Sequence, residues 1–274
     1  MADSFKRSIR RQVVRLFNDV DRGEAPVRRS ADALFSPRSV AWRVHGDVGS
    51  MMVGGITSLL MQMLHPSVLA GVWDHSNFRT DMHGRLRRTA RFIATTTYGD
   101  RKAALAAIDR VRAIHEKVTG VLPDGTPYRA NDPELLAWVH VTETTSFLAA
   151  WTRYGNPLMS AADKDRYFAE MAVIGYAMGA DPLPKSRAEA EAIIQAMRPM
   201  LKADARTEEV ANLLLGRSGM SPKDLPRRLA MQAAVDQLPG WARQMHRLST
   251  SPLERPLVRI GTFGVAQTLR WAFR

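Results

Sequence analysis

His115, in "RVRAIHEKVTG" (110–120), is an imidazole at a helix position where an apolar core residue would be expected. Over 101–118 the three-and-four spacing of a helix sets Ala104, Ile108, Val111, His115 and Val118 on one stripe, so the ring is expected to face inward. Over 133–152 the same spacing aligns Leu136, His140, Glu143, Thr144 and Phe147. A buried neutral imidazole either hydrogen-bonds a neighbour or ligates a metal, and two of them on consecutive helices could converge. A third group lies in "GRLRRTARFIATTTYGD" (84–100), where Arg85 and Thr89 are one helical turn apart with Thr96 further along the same face. A guanidinium and a hydroxyl turned inward could hold a carboxylate through charge-assisted hydrogen bonds. Arg85 could instead cap a helix or pair with an acid. Arg87, Arg88 and Arg91 are expected to be solvated.

Other chemistries lack their signatures. The remaining histidines, His45, His65, His75, His83 and His246, form no HExxH and no zinc or di-iron spacing. There is no GxSxG elbow, no GxxxxGK[ST] phosphate loop and no GxGxxG after a strand. The chain has no cysteine, which excludes disulfides, thiolate metal sites and thiol catalysis. Its 39 Lys and Arg against 27 Asp and Glu leave a net charge of +12, which attracts anions. The basic residues are densest in "FKRSIRRQVVRLF" and "RPLVRIGTFGVAQTLRWAFR", interleaved with Phe, Leu and Trp. That pattern suits an anionic membrane surface, or simply the solvated faces of two terminal helices. No nucleic-acid-binding motif accompanies it, so nucleic acid is not an expected partner. The N-terminus lacks the apolar core and cleavage site of a secretory signal, so a cytoplasmic location, or one peripheral to a membrane, is expected.

The elements that must position these groups are helical. Sustained period-two alternation is absent, and no Asn-Gly or Asp-Gly turn joins β-branched runs. Helical spacing covers 5–18, 48–64, 66–73, 84–98, 101–118, 133–152, 160–178, 186–202, 206–216, 224–237 and 256–272. Asp132-Pro133 reads as an N-cap followed by Pro at the first helical position, Ser186 can cap the next helix but one, and "RSGMSPKDLP" (217–226) carries turn chemistry. "VGSMMVGGITSLLMQML" (48–64) has no charge, yet Ser, Thr and Gln interrupt it and it is short for a bilayer span of about 20 residues. It is expected to be a buried central helix whose Ser50, Gly54 and Ser58 admit a close neighbour, either another helix or a flat ligand. The fold class is therefore all-α: a basic helical extension over 1–45 and one helical domain over 46–274.

Several segments in order, "LLMQMLHPSVLAGVWDHSNFRTDMHGRLRRTARFIATTTYGD", "VRAIHEKVTG", "DGTPYRANDPELLAWVHVTETTSF" and "YFAEMAVIGYAMGADPLPKS", resemble the oxygenase family of the latex-clearing proteins (rubber oxygenases) and the MpaB oxygenase. The likeness runs from about residue 50 to 186. It implies a globin-like multi-helix bundle holding haem b, with a histidine as axial iron ligand and dioxygen and an apolar or lipid-like small molecule as partners. Arg85 and Thr89 fit the latex-clearing Arg-x-x-x-Thr pattern, which makes His115 the nearest match for the iron ligand, with His140 the alternative. Two departures stand out. Thr119 occupies the position of an arginine that follows that histidine, and Arg88 replaces a lysine proposed as a distal ligand there. Arginine does not readily become a neutral ligand, so a lysine-type closed state is not implied. His65, His75, Trp138 and His140, with Thr142 beside it, belong to motifs of the wider family. The resemblance further implies that a propionate meets Arg85 and Thr89, that Arg85, Thr89 and Arg88 border the reacting side, and that the haem plane crosses Gly54 and Ser58. A non-catalytic helical protein binding haem, lipid or a metabolite is the alternative on the same scaffold.

Overall fold

Asp and Ser side chains cut the chain into helices close to where the spacing requires. Ser39, Asp47, Asp81, Asp100, Asp132, Ser160, Ser186 and Asp204 each accept a backbone N–H from the first turn of the helix that follows. The computed structural model describes residues 2–216, 225–249, 251, 253 and 255–273. In chain order the helices are α1 (Ala2–Phe17), α2 (Val40–His45), α3 (Val48–Gln62), α4 (Pro66–His75), α5 (Met82–Tyr98), α6 (Arg101–His115) and α7 (Pro133–Ala150). There follow α8 (Ala161–Met178), α9 (Arg187–Met197), α10 (Ala205–Leu215), α11 (Leu225–Gln237), α12 (Gly240–Met245) and α13 (Arg255–Phe273). The turn expected over 217–224 lies outside the described residues. The two short helices α2 and α12 lack the length to show a period.

A small antiparallel hairpin, β1 (Thr119–Val121) with β2 (Pro127–Arg129), pairs Gly120 with Tyr128. Nothing in the spacing announces it, because Asp124-Gly125 is not flanked by β-branched runs. Its turn works nonetheless: Gly125 takes φ +88°, which few other residues tolerate. His75 at the end of α4 holds the hairpin through Thr119 O (3.1 Å), and Tyr128 donates to Asp74 (2.9 Å).

The core is organised around α3, which lies along α7 and is backed by α11 and α13. Trp138, Phe147, Tyr167, Phe168, Val53 and Leu60 fill the centre. Of the segment expected as an extension, α2 belongs to this core, with Val40, Ala41, Val44 and His45 all buried. The uncharged helix over 48–62 is internal, as expected. Among the described residues no single helix is long and apolar enough to cross a membrane; α3 and α4 pass such a test only as a pair bent by 104°. The α5–α6 hairpin packs mainly on itself, with α1 and α2 against α5 and α8 against α6. Its contact with the central pair is therefore incomplete.

Candidate functional site

The Gly99-Asp100 turn folds α5 and α6 antiparallel, so residues equidistant from it face each other. Arg85, near the start of α5, thereby meets His115, the last residue of α6. The Arg85 guanidinium sits near enough to lower the His115 pKa, although burial of the ring is the larger cause. Arg85 is itself largely removed from water, which lowers its pKa, with Arg88 a further cause. Among the described residues no acid lies within ion-pairing distance of Arg85. A desolvated cation without a counter-ion is costly.

Asn131, just before α7, completes the group. Its amide nitrogen donates to Arg112 O (3.1 Å) and Glu116 Oε1 (2.6 Å), which fixes its orientation beside the His115 ring. Asn131 Oδ1 and His115 Nδ1 are both buried and neither has a hydrogen-bond partner. The Asn131 side chain nevertheless raises the imidazole pKa, opposing the burial. Next to Arg85 lies a narrow apolar cleft with a cavity volume of only about 10 Å³, lined by Leu59, Met63, Val72, Phe78, Met82, Val210 and Leu214.

A second polar stripe runs along α7. His140 is buried, its Nε2 has no partner, and burial lowers its pKa to about 4. One turn on, Glu143 is half-buried, and desolvation raises its pKa to about 7. Its charge acts on Tyr167, whose pKa burial already raises. The His45 ring bridges Tyr167 Oη and Thr97 Oγ1, each at 2.8 Å, and burial lowers its pKa to about 3. His65, at the N-terminus of α4, lies near Trp138 with Nδ1 unpartnered, and burial lowers its pKa to about 4 despite Asp132. Sequence spacing could not have found His45 or Tyr167, since they come from helices more than a hundred residues apart. The only sign of Asn131 was its place ahead of an Asp-Pro cap.

Of the residues expected to form the site, Arg85 and His115 come together. His140 is inward as expected, and among the described residues no hydrogen bond or ring contact joins it to His115. Four other expected features lie as follows. Thr89 is exposed and donates to Arg85 O within its own helix (3.2 Å). Arg88 is exposed and paired with Asp81 (3.2 Å). Thr142 donates to Trp138 O (2.7 Å), so its hydroxyl is already used. The small-residue face of α3 receives α7 at Gly54. A Cβ on Gly54 would meet Phe147 Cα at 2.9 Å, and Ser58 accepts from Gln62 (2.7 Å). Arg87 and Arg91 are also less solvated than expected, holding Asp19 (3.6 Å) and Ala25 O (3.0 Å) respectively.

Among the described residues no three His, Cys, Asp or Glu side chains are grouped to hold a metal ion. A metal at His115 would therefore have to bring most of its own ligands. No curated protein and no solved structure matches the chain. One family model does, over residues 42–271, a span that takes in α2, the core helices, Arg85, His115, His140 and Glu143. With the central α3–α7 pair, the hairpin that joins Arg85 to His115 and the buried carboxyl of Glu143 all inside that match, the chain belongs to the family of the ER-bound oxygenase MpaB/B′ and rubber oxygenase catalytic domain.

Proposed function

We propose that the protein is a haem-dependent oxygenase acting on an apolar small molecule, with His115 as the residue that holds iron. One observation carries this reading: two buried polar atoms without a hydrogen-bond partner among the described residues, His115 Nδ1 and Asn131 Oδ1, sit beside a desolvated Arg85 that no described acid pairs. A single hydrogen bond from Nδ1–H to Oδ1 would satisfy both and leave the Nε2 lone pair free for a metal. Ligating histidines are commonly oriented in this way, through a fixed acceptor on the other ring nitrogen. Burial keeps the imidazole neutral, the form that ligates. Arg85 supplies the cation that an anionic propionate needs. The residues present therefore fit haem better than a bare ion, for which no ligand cluster exists among the described residues.

When bound, haem would supply dioxygen binding and redox chemistry. The chain would do the rest. Asn131 orients the imidazole and Arg85 neutralises an anion. The Leu, Met, Val and Phe side chains of the cleft exclude water and select an apolar substrate. Glu143 retains its proton up to about pH 7 and so can give or take one near neutrality. The cleft as it stands has a cavity volume of only about 10 Å³, far below the roughly 300–1,000 Å³ of pockets that enclose a drug-sized ligand. A macrocycle would be admitted only if the α5–α6 hairpin moved away from α3.

The test is an absorption spectrum of the protein as isolated and after haem supplementation. A Soret band that is lost or shifted in His115→Ala supports the proposal. An unchanged band in that variant would move the iron to His140. A colourless protein that co-purifies with an apolar molecule would mean a binding protein without turnover.

A further inference from the structure

We propose that α1 and α13, the two ends of the chain, form one platform that docks on an anionic membrane surface. They are brought together by contacts specific to the fold. Phe5 packs on Trp271 with ring centroids 6.2 Å apart, Lys6 lies over the same indole at 4.8 Å, and Arg10 donates to Ala272 O.

Helix α13 is inside out. Its buried residues are small, Thr262, Ala266 and Ala272, and Ala266 comes so close to α3 that a Cβ on Gly49 would meet it at 3.1 Å. Two of its arginines reach buried acids. Arg259 pairs with the buried Asp236 (2.8 Å) and Arg270 with the buried Asp47 (2.5 Å). Its exposed residues include large apolar ones: Leu257 and Ile260 are each 70% exposed, Phe263 41% and Trp271 40%. At helical spacing, positions 257, 260, 264, 267 and 271 share one face, and the polar member among them, Gln267, is uncharged. A helix whose ion pairs hold it with its large apolar residues outward is built to present them.

The charges beside this stripe choose the occupant. On α1, Lys6, Arg7, Arg11 and Arg15 accompany the exposed Phe5, and Asp3 is the only acid; α13 contains no acid at all. A second copy of the chain would bring these cations against their own kind, which opposes self-association through this face. Lipid headgroups carrying negative charge complement it, while acyl chains accept Leu257, Ile260 and the aromatic rings. Neither helix is long and apolar enough to span a bilayer, so docking is peripheral. The inference is independent of the haem reading.

The experiment is flotation of the full-length protein with phosphatidylcholine vesicles, with and without phosphatidylglycerol. Binding is expected only with phosphatidylglycerol and to weaken with added salt. Arg7→Gln with Arg11→Gln should weaken it about thirtyfold, since each cation near an acidic surface contributes roughly a fivefold gain. Ile260→Glu should abolish it, whereas Leu158→Glu, at a position 93% exposed and outside the platform, should not change it. All these residues are on the surface, so unchanged melting temperatures will show that the variants fold. Equal binding to neutral vesicles, or full binding by Ile260→Glu, would overturn the proposal. So would a dimer that Ile260→Glu dissociates in the absence of any flotation.

Discussion

Two adjacent glycines in α3 should respond to alanine with opposite signs. At Gly54 an added Cβ would stand 2.7 Å from Phe147 Cδ1, 2.9 Å from Phe147 Cα and 3.0 Å from Ser146 O. Two of those three atoms are backbone or fixed to it, so no rotamer change relieves the clash and α3 must separate from α7. Overpacking of this kind costs about 1–3 kcal/mol, and a backbone obstacle puts it at the upper end. Alanine returns about 1 kcal/mol of helix propensity, leaving a net loss of about 2 kcal/mol. At Gly55 the nearest atom is Phe147 Cε1 at 3.7 Å, an ordinary contact. There only the propensity gain survives, about 1 kcal/mol. For a chain of this size 1 kcal/mol moves the melting temperature by about 2–4 °C. Gly54→Ala should therefore melt about 4–8 °C below wild type and Gly55→Ala about 2–4 °C above it. Thermal unfolding followed by circular dichroism on cofactor-free protein measures both. If Gly54→Ala is as stable as wild type while haem uptake alone is impaired, the small-residue face serves a ligand after all and the helix-packing account fails.

Acid and base should both lower stability, through different groups. His45, His65 and His140 are held neutral, with pKa values lowered from 6.5 to about 3, 4 and 4, so the unfolded chain binds more protons below 6.5. Their contribution is complete above pH 6.5 and is lost as pH falls toward about 4. Glu143, raised from 4.5 to about 7, behaves conversely: its contribution is complete below 4.5 and is lost as pH rises through about 7. Glu143→Gln should remove that alkaline loss, up to about 3 kcal/mol, in denaturant titrations across the pH range; an unaltered pH profile would mean that the carboxyl is not desolvated. Asp236→Asn removes the carboxylate that Arg153, Arg255 and Arg259 reach at 3.3, 3.3 and 2.8 Å. It should cost about 3 kcal/mol, the low end for a broken buried pair because the arginines keep some solvent, and limited proteolysis should release α13 first.

The helices are legible because each combines an apolar stripe with an Asp or Ser cap, and both signals are local. The Arg85–His115 pairing is half legible: once a turn at Gly99-Asp100 is granted, antiparallel geometry places the two opposite each other. Asn131 and the His45–Tyr167 bridge are not, because they depend on where α2, α7 and α8 cross, and no spacing along one strand of sequence encodes a crossing. Gly54 and Ser58 show a different limit. A small-residue face states that something comes close but not what, and here Phe147 supplies the answer. Thr89 failed for a simpler reason. It lies one turn from Arg85 on α5, but that helix is covered only in part, so the same face is enclosed at one end and wet at the other.

Arg85 is the position at which fold and proposed function make conflicting demands. A guanidinium largely stripped of water, with no acid within reach among the described residues, destabilises the cofactor-free chain. Arg85→Met keeps the apolar stem and removes the charge. In the absence of haem the variant should be more stable than wild type, by about 1–2 kcal/mol given the solvent that Arg85 retains. With haem added the order should reverse. A ligand bound only by the folded state stabilises it in proportion to the logarithm of its affinity, and wild type would bind an anionic propionate more tightly. Two melting curves for each protein, with and without haem, test this. If Arg85→Met is destabilised equally in both conditions, the guanidinium already has a partner in the fold, and its place beside His115 is packing rather than an anion site.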